Sequence, residues 1–322
     1  MNILITGATS FIGKVLAQEL INRGYEVYGT FRPDSPRKEG LPAGLHPVEC
    51  SLNEPEKLLD AGIPKITVCI ALAWGETTRE GRMDRDAQEH NVACTLKVME
   101  TVKQLGCERF IFAGSQAEYG VTMERVSAGE CPKEKITEMT PARPISEYGK
   151  CKLQVLKEGR KLAASLGMTY IHMRIFSTYG PGDTPTSLVS VCMKAFTAGE
   201  PVTLSPCRQM WNYLYVRDCA AAIAGLAECP FILSPEDEEC EHVVNVASEV
   251  SMQLSAYVRL IHETIGTGIY THEEKSAPAE GTPWLDADIT KLKAYTGFTE
   301  RIEFTEGIKL LAEDARCRMN GD

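Results

Sequence analysis

The feature that most constrains the fold is a regular alternation of short apolar runs and amphipathic segments along residues 1–176. The β-branched run NILIT precedes the helical pattern KVLAQELINRG, and EVYGTF, ITVCIALA and RFIFAGS are typical of further strands. AQEHNVACTLKVMETVKQLG has apolar residues at three- and four-residue steps and ends at Gly106, which indicates a long helix. A second long helix, YGKCKLQVLKEGRKLAASLG, precedes the strand-like run TYIHMRIF. Strands that alternate with helices in this way predict an α/β protein with a parallel, doubly wound sheet.

After YGPGD the pattern becomes irregular and richer in proline and glycine, but no flexible linker separates two halves. We therefore predict a Rossmann doubly wound parallel sheet with a smaller C-terminal α/β substrate lobe packed on it. The predicted ranges are 1–176 for the dinucleotide-binding domain, rejoined by about 213–231, and 177–212 with 232–322 for the substrate lobe.

Composition excludes several classes of function. No apolar run reaches the roughly 18 residues of a membrane span, and the chain starts on an apolar strand without a basic region or cleavage site, so we expect a cytoplasmic protein. The 12 cysteines form no CxxC pair and the six histidines do not cluster, which predicts reduced thiols and no metal site. A net charge of −10 argues against nucleic acid or an anionic membrane as a partner.

The stretch GATSFIGK between the first strand and the first helix has the composition of a phosphate-binding loop. A triphosphate-binding loop has four residues between its glycines and a serine or threonine after its lysine. Here five residues separate Gly7 from Gly13, and Val15 follows Lys14, so neither requirement is met. In a dinucleotide loop, Gly7 permits the tight turn and Gly13 permits close packing of helix on sheet, while the N–H groups at the helix start hold a pyrophosphate. Ser10 stands where the usual fingerprint has its middle glycine, and a purely structural turn is the alternative.

The end of the next strand bears on the choice of cofactor. A carboxylate there would bind the adenosine 2′-hydroxyl and repel a 2′-phosphate. This strand ends TFRPDSPRK, with Phe31 at the expected acid position and Arg32 next. The sequence therefore favours NADP(H) over NAD(H), and a solvated surface role for Arg32 is the alternative.

Three residues suggest a proton-transfer site. Tyr148 and Lys152 are four residues apart on one face of a helix, and Ser115 comes just past the end of a buried strand. Ligands of open α/β sheets bind at such carboxyl ends. A tyrosine titrates near 10, and a nearby ammonium favours its phenolate form, which brings proton exchange closer to neutral pH.

Taken together, the motifs resemble those of the extended short-chain dehydrogenase/reductases, which include nucleotide-sugar epimerases, dehydratases and reductases. The resemblance runs nearly end to end, through TGATSFIG, the NV of Asn91–Val92, FIFAGSQAEYG, Tyr148-x-x-x-Lys152, RIFSTYGPGD, YLYVRD, VVNVASEVSMQLSAYVRLI and DADITKLKAYTGF. It implies a catalytic set of Ser115, Tyr148 and Lys152. It implies a pyrophosphate loop of Thr9, Ser10, Phe11 and Ile12, and a ribose and adenine side of Leu72, Ala73 and Trp74. It also implies a homodimer held by a four-helix bundle of the two long helices.

Departures from the family pattern narrow the reaction. The 4,6-dehydratases have an acid pair, or at least a glutamate, just after the catalytic hydroxyl residue, where this chain has Gln116 and Ala117. Glu118 comes one residue later, and on a continuing strand it would face the opposite side. The 4-epimerases usually hold NAD permanently and have the acid where Phe31 stands. The sequence therefore argues against a dehydratase and weakens the case for an epimerase.

The predicted substrate side is less defined. Many relatives have an arginine for the sugar diphosphate where this chain has Trp211, and Arg208 nearby is a substitute. Trp211 either stacks on a base or sugar or belongs to the core of the lobe. The candidate substrate residues are Ser115, Gln116, Ser177, Arg208 and Trp211. Three arginines in the loop WGETTREGRMDRD, Arg79, Arg82 and Arg85, either meet a substrate phosphate or are solvated.

The sequence thus predicts an NADPH-dependent reductase of a nucleotide-diphospho-sugar ketone, most simply a 4-keto-6-deoxy sugar, with Tyr148 as proton donor. The alternatives are a nucleotide-sugar 4-epimerase with tightly bound NAD(P) and a non-catalytic dinucleotide sensor. The base, the sugar and the product stereochemistry leave no signature in the sequence.

Overall fold

The computed structural model describes residues 1–127, 129, 135–230, 239–274 and 282–320. In chain order the strands of these residues are β1 (Asn2–Thr6), β2 (Glu26–Phe31), β3 (Leu45–Glu49), β4 (Val68–Ala71), β5 (Arg109–Ser115), β6 (Thr169–Ile175), β7 (Ser177–Tyr179), β8 (Pro201–Leu204), β9 (Met210–Tyr215), β10 (Val243–Val246), β11 (Ser251–Gln253) and β12 (Ile269–His272). The helices are α1 (Phe11–Asn22), α2 (Arg85–Gln104), α3 (Met123–Ser127), α4 (Glu147–Ser165), α5 (Leu188–Thr197), α6 (Val216–Glu228), α7 (Leu254–Ile265), α8 (Thr290–Thr296) and α9 (Phe304–Asn320).

The largest sheet confirms the predicted architecture. It has seven strands in the order β10-β6-β5-β4-β1-β2-β3, and every neighbouring pair is parallel. The chain moves outward from β1 to one side through β2 and β3, and then returns to the other side through β4. This reversal opens a crevice at the carboxyl ends of β1 and β4, where ligands bind in open α/β sheets.

One strand of this sheet, β3, was not foreseen from the sequence. It has the sequence LHPVE, and its internal Pro47 removes a backbone donor, which argues against a central strand. In the structure β3 is the edge strand next to β2, a position where a proline is tolerated.

Helices cover both faces of the sheet because successive strand residues point to opposite sides. Ile5 lies in one buried cluster with Leu16 of α1 and Ile223 of α6. Leu4 lies in the other cluster, with Val98 of α2 and Val155 of α4. Each layer therefore buries the apolar stripe that the sequence pattern indicated.

The second half of the chain forms two small sheets, β11-β9-β7 and β12-β8, around a third buried cluster that includes Phe196, Tyr257 and Ile308. The chain returns to the large sheet twice: α6 packs against α1, and β10 pairs with β6. β10 lies in the range 232–322 that was assigned to the substrate lobe, so that range contributes one strand to the Rossmann sheet. Among the described residues, no helix has both the length and the apolar character needed to cross a bilayer.

Candidate active site

The glycine loop after β1 is shaped by two close approaches. Gly7 has φ 74°, and a Cβ there would lie 3.0 Å from the backbone of Ala73. A Cβ on Gly13 would overlap the carbonyl oxygen of Gly7. Ser10 is the N-cap of α1, and its Oγ accepts from the Gly13 N–H at 3.1 Å. The residue that replaces the middle glycine therefore stabilises the start of the helix whose N–H groups face the crevice.

The ends of β1 and β4 are tied together beside this loop. The N–H of Ala73 donates to Thr6 Oγ1 at 3.2 Å, and the N–H of Leu72 donates to the Thr6 carbonyl at 3.2 Å. The Trp74 indole N–H donates to Gln88 Oε1 at 2.7 Å. Leu72, Ala73 and Trp74 are therefore fixed at the carboxyl end of β4, and their place on the ribose and adenine side of a cofactor stays a prediction.

At the end of β2 the structure adds a neighbour that the sequence did not indicate. The Arg32 side chain is 67% exposed, and its Nε is 3.7 Å from Oδ1 of Asp34. Such an exposed ion pair is weak, so the guanidinium can exchange Asp34 for another anion. The following loop returns to the glycine loop, where Ser35 Oγ donates to Thr9 Oγ1 at 3.3 Å.

A narrow cleft beside Thr6, Thr30 and Ala73 is also lined by Ser51 and Leu52, which follow β3. These two residues were missed because β3 itself was missed. The short β-branched-poor run LHPVE gave no strand signal, although the carboxyl end of a parallel strand is where a binding residue is expected.

Ser115 ends β5 and is 7% exposed. It caps the 3₁₀ turn Gln116–Glu118: its Oγ accepts from the Ala117 N–H at 3.2 Å, and its own N–H donates to Glu118 Oε1 at 2.8 Å. Gln116 begins the turn and is partly exposed beside Ser115. Ser115 Oγ acts as the acceptor in its bond with the Ala117 N–H, so the hydroxyl proton of Ser115 is not used in that bond and can be donated to a ligand.

The Glu118 side chain points into the protein. β5 ends at Ser115, so Glu118 lies in the following 3₁₀ turn and not on a continuing strand. Its carboxylate is fully buried and accepts from His172 Nε2 and Arg174 Nε, both at 2.9 Å. Burial by itself raises the pKa of Glu118, but His172 and Arg174 outweigh it and lower that pKa to about 2. A Cβ on Gly114 would overlap this Glu118–His172 pair, so glycine is required there.

Tyr148 and Lys152 lie in the first two turns of α4, whose N-cap is Ser146. The helix starts against the Ser115 turn, since a Cβ on Gly149 would lie 2.7 Å from the Ala117 carbonyl oxygen. Lys152 is 3% exposed, and its Nζ donates to the Ala113 carbonyl of β5 at 2.7 Å. α4 thereby brings Tyr148 and Lys152 to the same strand end as Ser115.

Lys152 Nζ lies 3.7 Å from the centroid of the Trp74 ring and 5.5 Å from that of Tyr148. Burial lowers the pKa of Lys152 well below its usual value; Glu118 raises it, and Arg82 lowers it further. Nζ is therefore held between the Ala113 carbonyl and the face of the Trp74 ring.

The structure brings together only part of the predicted substrate set. Trp211 Nε1 donates to Ser177 Oγ at 2.9 Å, because β7 and β9 are neighbours. The Trp211 side chain packs against both the sheet core and the lobe core, which fits a structural role as well as a binding role. Arg208 is directed to the surface, where it pairs with Glu274 at 2.9 Å and is 76% exposed.

A parallel sheet with a tight glycine loop at its crevice, and a serine, tyrosine and lysine at the adjacent strand end, defines a nicotinamide-dinucleotide-dependent enzyme. The chain belongs to the NAD dependent epimerase/dehydratase family, whose sequence pattern matches residues 3–247. The resemblance to the extended short-chain dehydrogenase/reductases is thereby confirmed.

The similarity to known proteins extends over nearly the whole chain. It is 25% identical over 321 residues to dTDP-6-deoxy-L-talose 4-dehydrogenase (NAD(P)(+)) of Kitasatospora kifunensis, covering 96% of this chain and 94% of that protein. It is 24% identical over 322 residues to YtcB of Bacillus subtilis, described as an uncharacterized UDP-glucose epimerase, with 96% of each covered. The solved structure of MoeE5 in complex with UDP-glucuronic acid and NAD has a TM-score of 0.82 at 25% identity, covering 99% of this chain and 100% of that chain.

Proposed function

We propose that this protein is an NADPH-dependent reductase of a nucleotide-diphospho-sugar ketone, with a 4-keto-6-deoxy sugar as the favoured substrate. The observation that carries the proposal is the docking of Tyr148 and Lys152 of α4 on the end of β5 beside Ser115. The relative from Kitasatospora, whose name states a 4-dehydrogenase of a 6-deoxy sugar, supports the same position and class of sugar.

The residues present fit a dinucleotide, because Gly7 and Gly13 pack closely against Ala73 and the Gly7 carbonyl, and this places the N-terminus of α1 directly after β1, where its N–H groups suit a pyrophosphate. The loop from Thr9 to Ile12 would hold its pyrophosphate, and Lys152 its ribose hydroxyls. When bound, the dinucleotide supplies the hydride.

Proton transfer is assigned to the protein's own groups. The Ser115 hydroxyl donates a hydrogen bond to the carbonyl oxygen and orients it, and Tyr148 donates its phenolic proton to that oxygen as negative charge develops there. Lys152 favours the phenolate that remains, through its positive charge.

Dehydration is disfavoured because the required acid is missing. Gln116 and Ala117 carry no carboxyl group, and both oxygens of Glu118 accept hydrogen bonds in the interior. A carboxylate whose pKa is lowered to about 2 stays ionised at neutral pH and cannot protonate a leaving hydroxyl.

A panel of nucleotide-diphospho sugars tests the proposal directly. With a 4-keto-6-deoxy substrate, we expect NADPH fluorescence to fall as an alcohol forms, and a 6-hydroxylated nucleotide hexose should yield no 4-keto-6-deoxy product. Tyr148→Phe with the same panel is the control for non-enzymatic oxidation of NADPH. Accumulation of the ketone, seen by its absorbance in alkali, would refute the argument from the missing acid.

The second candidate is a 4-epimerase. YtcB is described as an uncharacterized UDP-glucose epimerase, and MoeE5 was solved with NAD and a UDP sugar. Purified protein that retains NAD and interconverts 4-epimers without added cofactor would favour this reaction over net reduction.

The preference for NADP(H) rests on the end of β2. Arg32 is exposed and has only a weak pair with Asp34, and Phe31 brings no charge that would repel a 2′-phosphate. A charge-assisted hydrogen bond reduced by solvent exposure contributes about 1–2 kcal/mol, or a 5- to 30-fold preference for NADPH over NADH. We expect Phe31→Asp with Arg32→Asn to reverse the preference, measured by titrating both cofactors at one fixed salt concentration.

Asp34→Asn is the matched variant for this measurement. It removes the carboxylate 3.7 Å from Arg32 Nε, so the preference for NADPH should increase. If the unmodified protein binds NADH at least as tightly as NADPH, Arg32 is a surface charge and the balance moves toward the epimerase.

We also propose a homodimer through α2 and α4, which pack side by side on one face of the sheet. Their outward surface bears charged side chains of both signs, including Glu89, Lys97, Glu158 and Lys161, which allows complementary pairing across a four-helix bundle. Sedimentation velocity on the whole chain tests this; a monomer at micromolar concentration would exclude it.

A further inference from the structure

The segment that follows β4 places a second cation on the ring of Tyr148. Cζ of Arg82 lies 4.2 Å from the centroid of the phenol ring, within the range of a cation–π contact. Trp74, at the start of the same segment, meets this ring edge-on with centroids 6.3 Å apart. Tyr148 is therefore held by Arg82 on its face and by Trp74 at right angles.

The position of Arg82 is fixed by α2. Gln88 of that helix is fully buried, and its Nε2 donates to the carbonyls of Glu76 and Gly81, both at 2.9 Å. Its Oε1 accepts from Trp74, so one side chain anchors the segment at three points. Gly81 directly precedes Arg82 and begins the short 3₁₀ turn Gly81–Met83. An anchor that is buried and fully hydrogen-bonded restricts the backbone from which Arg82 reaches Tyr148.

A second anchor acts at the start of the segment. Asn91 Oδ1 accepts from the Gly75 N–H at 2.9 Å, and Asn91 Nδ2 donates to the Gly75 carbonyl at 3.1 Å. Asn91 is 4% exposed. The two amides of α2 thus hold the segment 75–82 as a second wall of the candidate active site.

We propose that Arg82 is a positioning residue for proton transfer: it holds the Tyr148 ring by stacking on its face and keeps a permanent positive charge beside the phenol. The inference rests on the proposed role of Tyr148 as proton donor. It assigns a function to one arginine of the 79–85 loop that neither the Ser-Tyr-Lys set nor substrate phosphate binding requires.

The charges around Tyr148 make a second cation useful. Arg82 faces Tyr148 from the 3₁₀ turn, and Lys152 faces it from the next turn of α4. Glu147 precedes Tyr148 in the sequence, and its carboxylate pairs with Lys150 at 2.6 Å. Burial lowers the pKa of Lys152 well below its usual value, and Glu118 behind β5 only partly opposes this. A guanidinium stays charged throughout the accessible pH range. Arg82 therefore keeps a positive charge beside Tyr148 whatever the protonation state of Lys152.

Titration of tyrosine absorbance tests this without any substrate. The chain has 11 tyrosines, and subtracting the titration of Tyr148→Phe from that of the unmodified protein isolates Tyr148. We expect Arg82→Met to move this transition upward by about 0.5–2 pH units, because it removes a positive charge whose Cζ lies 4.2 Å from the centroid of the ring. For Arg82→Met, the titration to be subtracted is that of the double variant Arg82→Met with Tyr148→Phe.

Two further variants complete the experiment. Arg82→Lys keeps the charge and should restore most of the transition, whereas Arg79→Met, at an exposed position of the same loop, should leave it unchanged. An unaltered transition in Arg82→Met would overturn the proposal, as would an increase in KM alone, which would make Arg82 a substrate contact. Failure of the proposed function would appear separately, as near-normal turnover in Tyr148→Phe.

Discussion

Tyr148→Phe is expected to lower turnover about 100- to 10,000-fold, the range by which a general acid accelerates a reaction. The substitution removes the phenolic proton but retains the ring that contacts Arg82 and Trp74. Affinity for the cofactor should therefore change little. Steady-state kinetics with the substrate found in the panel, together with cofactor titration by fluorescence, measure both quantities.

Lys152→Met is the informative comparison because Lys152 is proposed to have two roles, one in proton transfer and one in cofactor binding. It should lower turnover and also weaken cofactor binding, since the ribose hydroxyls lose their ammonium donor. Near-normal turnover in Tyr148→Phe would contradict the assignment of the proton donor, and unchanged cofactor affinity in Lys152→Met would contradict its second role.

Glu118→Ala is expected to destabilise the protein by about 3–5 kcal/mol, the usual cost of removing one partner of a buried ion pair. His172 and Arg174 are 0% and 3% exposed, so the substitution leaves a buried guanidinium without its carboxylate. Denaturant unfolding measures the loss. Glu124→Ala is the control, because Glu124 is exposed in α3 and its replacement should stay within about 0.5 kcal/mol.

The same carboxylate makes stability depend on pH with a defined sign. The pKa of Glu118 is lowered from 4.5 to about 2 in the folded protein, so its contribution is present above pH 4.5 and is lost as pH falls toward 2. A difference of this size corresponds to about 3 kcal/mol. Glu118→Gln, which cannot ionise, should remove this part of the acid dependence. Identical slopes of unfolding free energy against pH in both proteins would contradict the linkage.

The sequence contained the features that depend on neighbouring residues. Periods of two and of 3.6 residues assign strands and helices, and strict alternation of the two leaves few topologies besides a parallel doubly wound sheet. Gly7 and Gly13 were identifiable because the positive φ of Gly7 and the close approach of Gly13 to the Gly7 carbonyl are local steric requirements. Tyr148 and Lys152 were identifiable because helical spacing puts them on one face.

The contacts that set the environment of those residues were decided by tertiary structure. Glu118 is bound by two side chains of β6, 54 and 56 residues away, and no local pattern marks such partners. Arg82 lies over the ring of Tyr148, which is distant in sequence, on a segment that Gln88 anchors. Periodicity records which face of an element is buried, whereas the identity of the group across the interface depends on how the elements pack. The sequence by itself therefore determined most of the sheet, the glycine loop and the side chains that are proposed to react, and the packing of α2 and α4 on the sheet determined the charges that surround them.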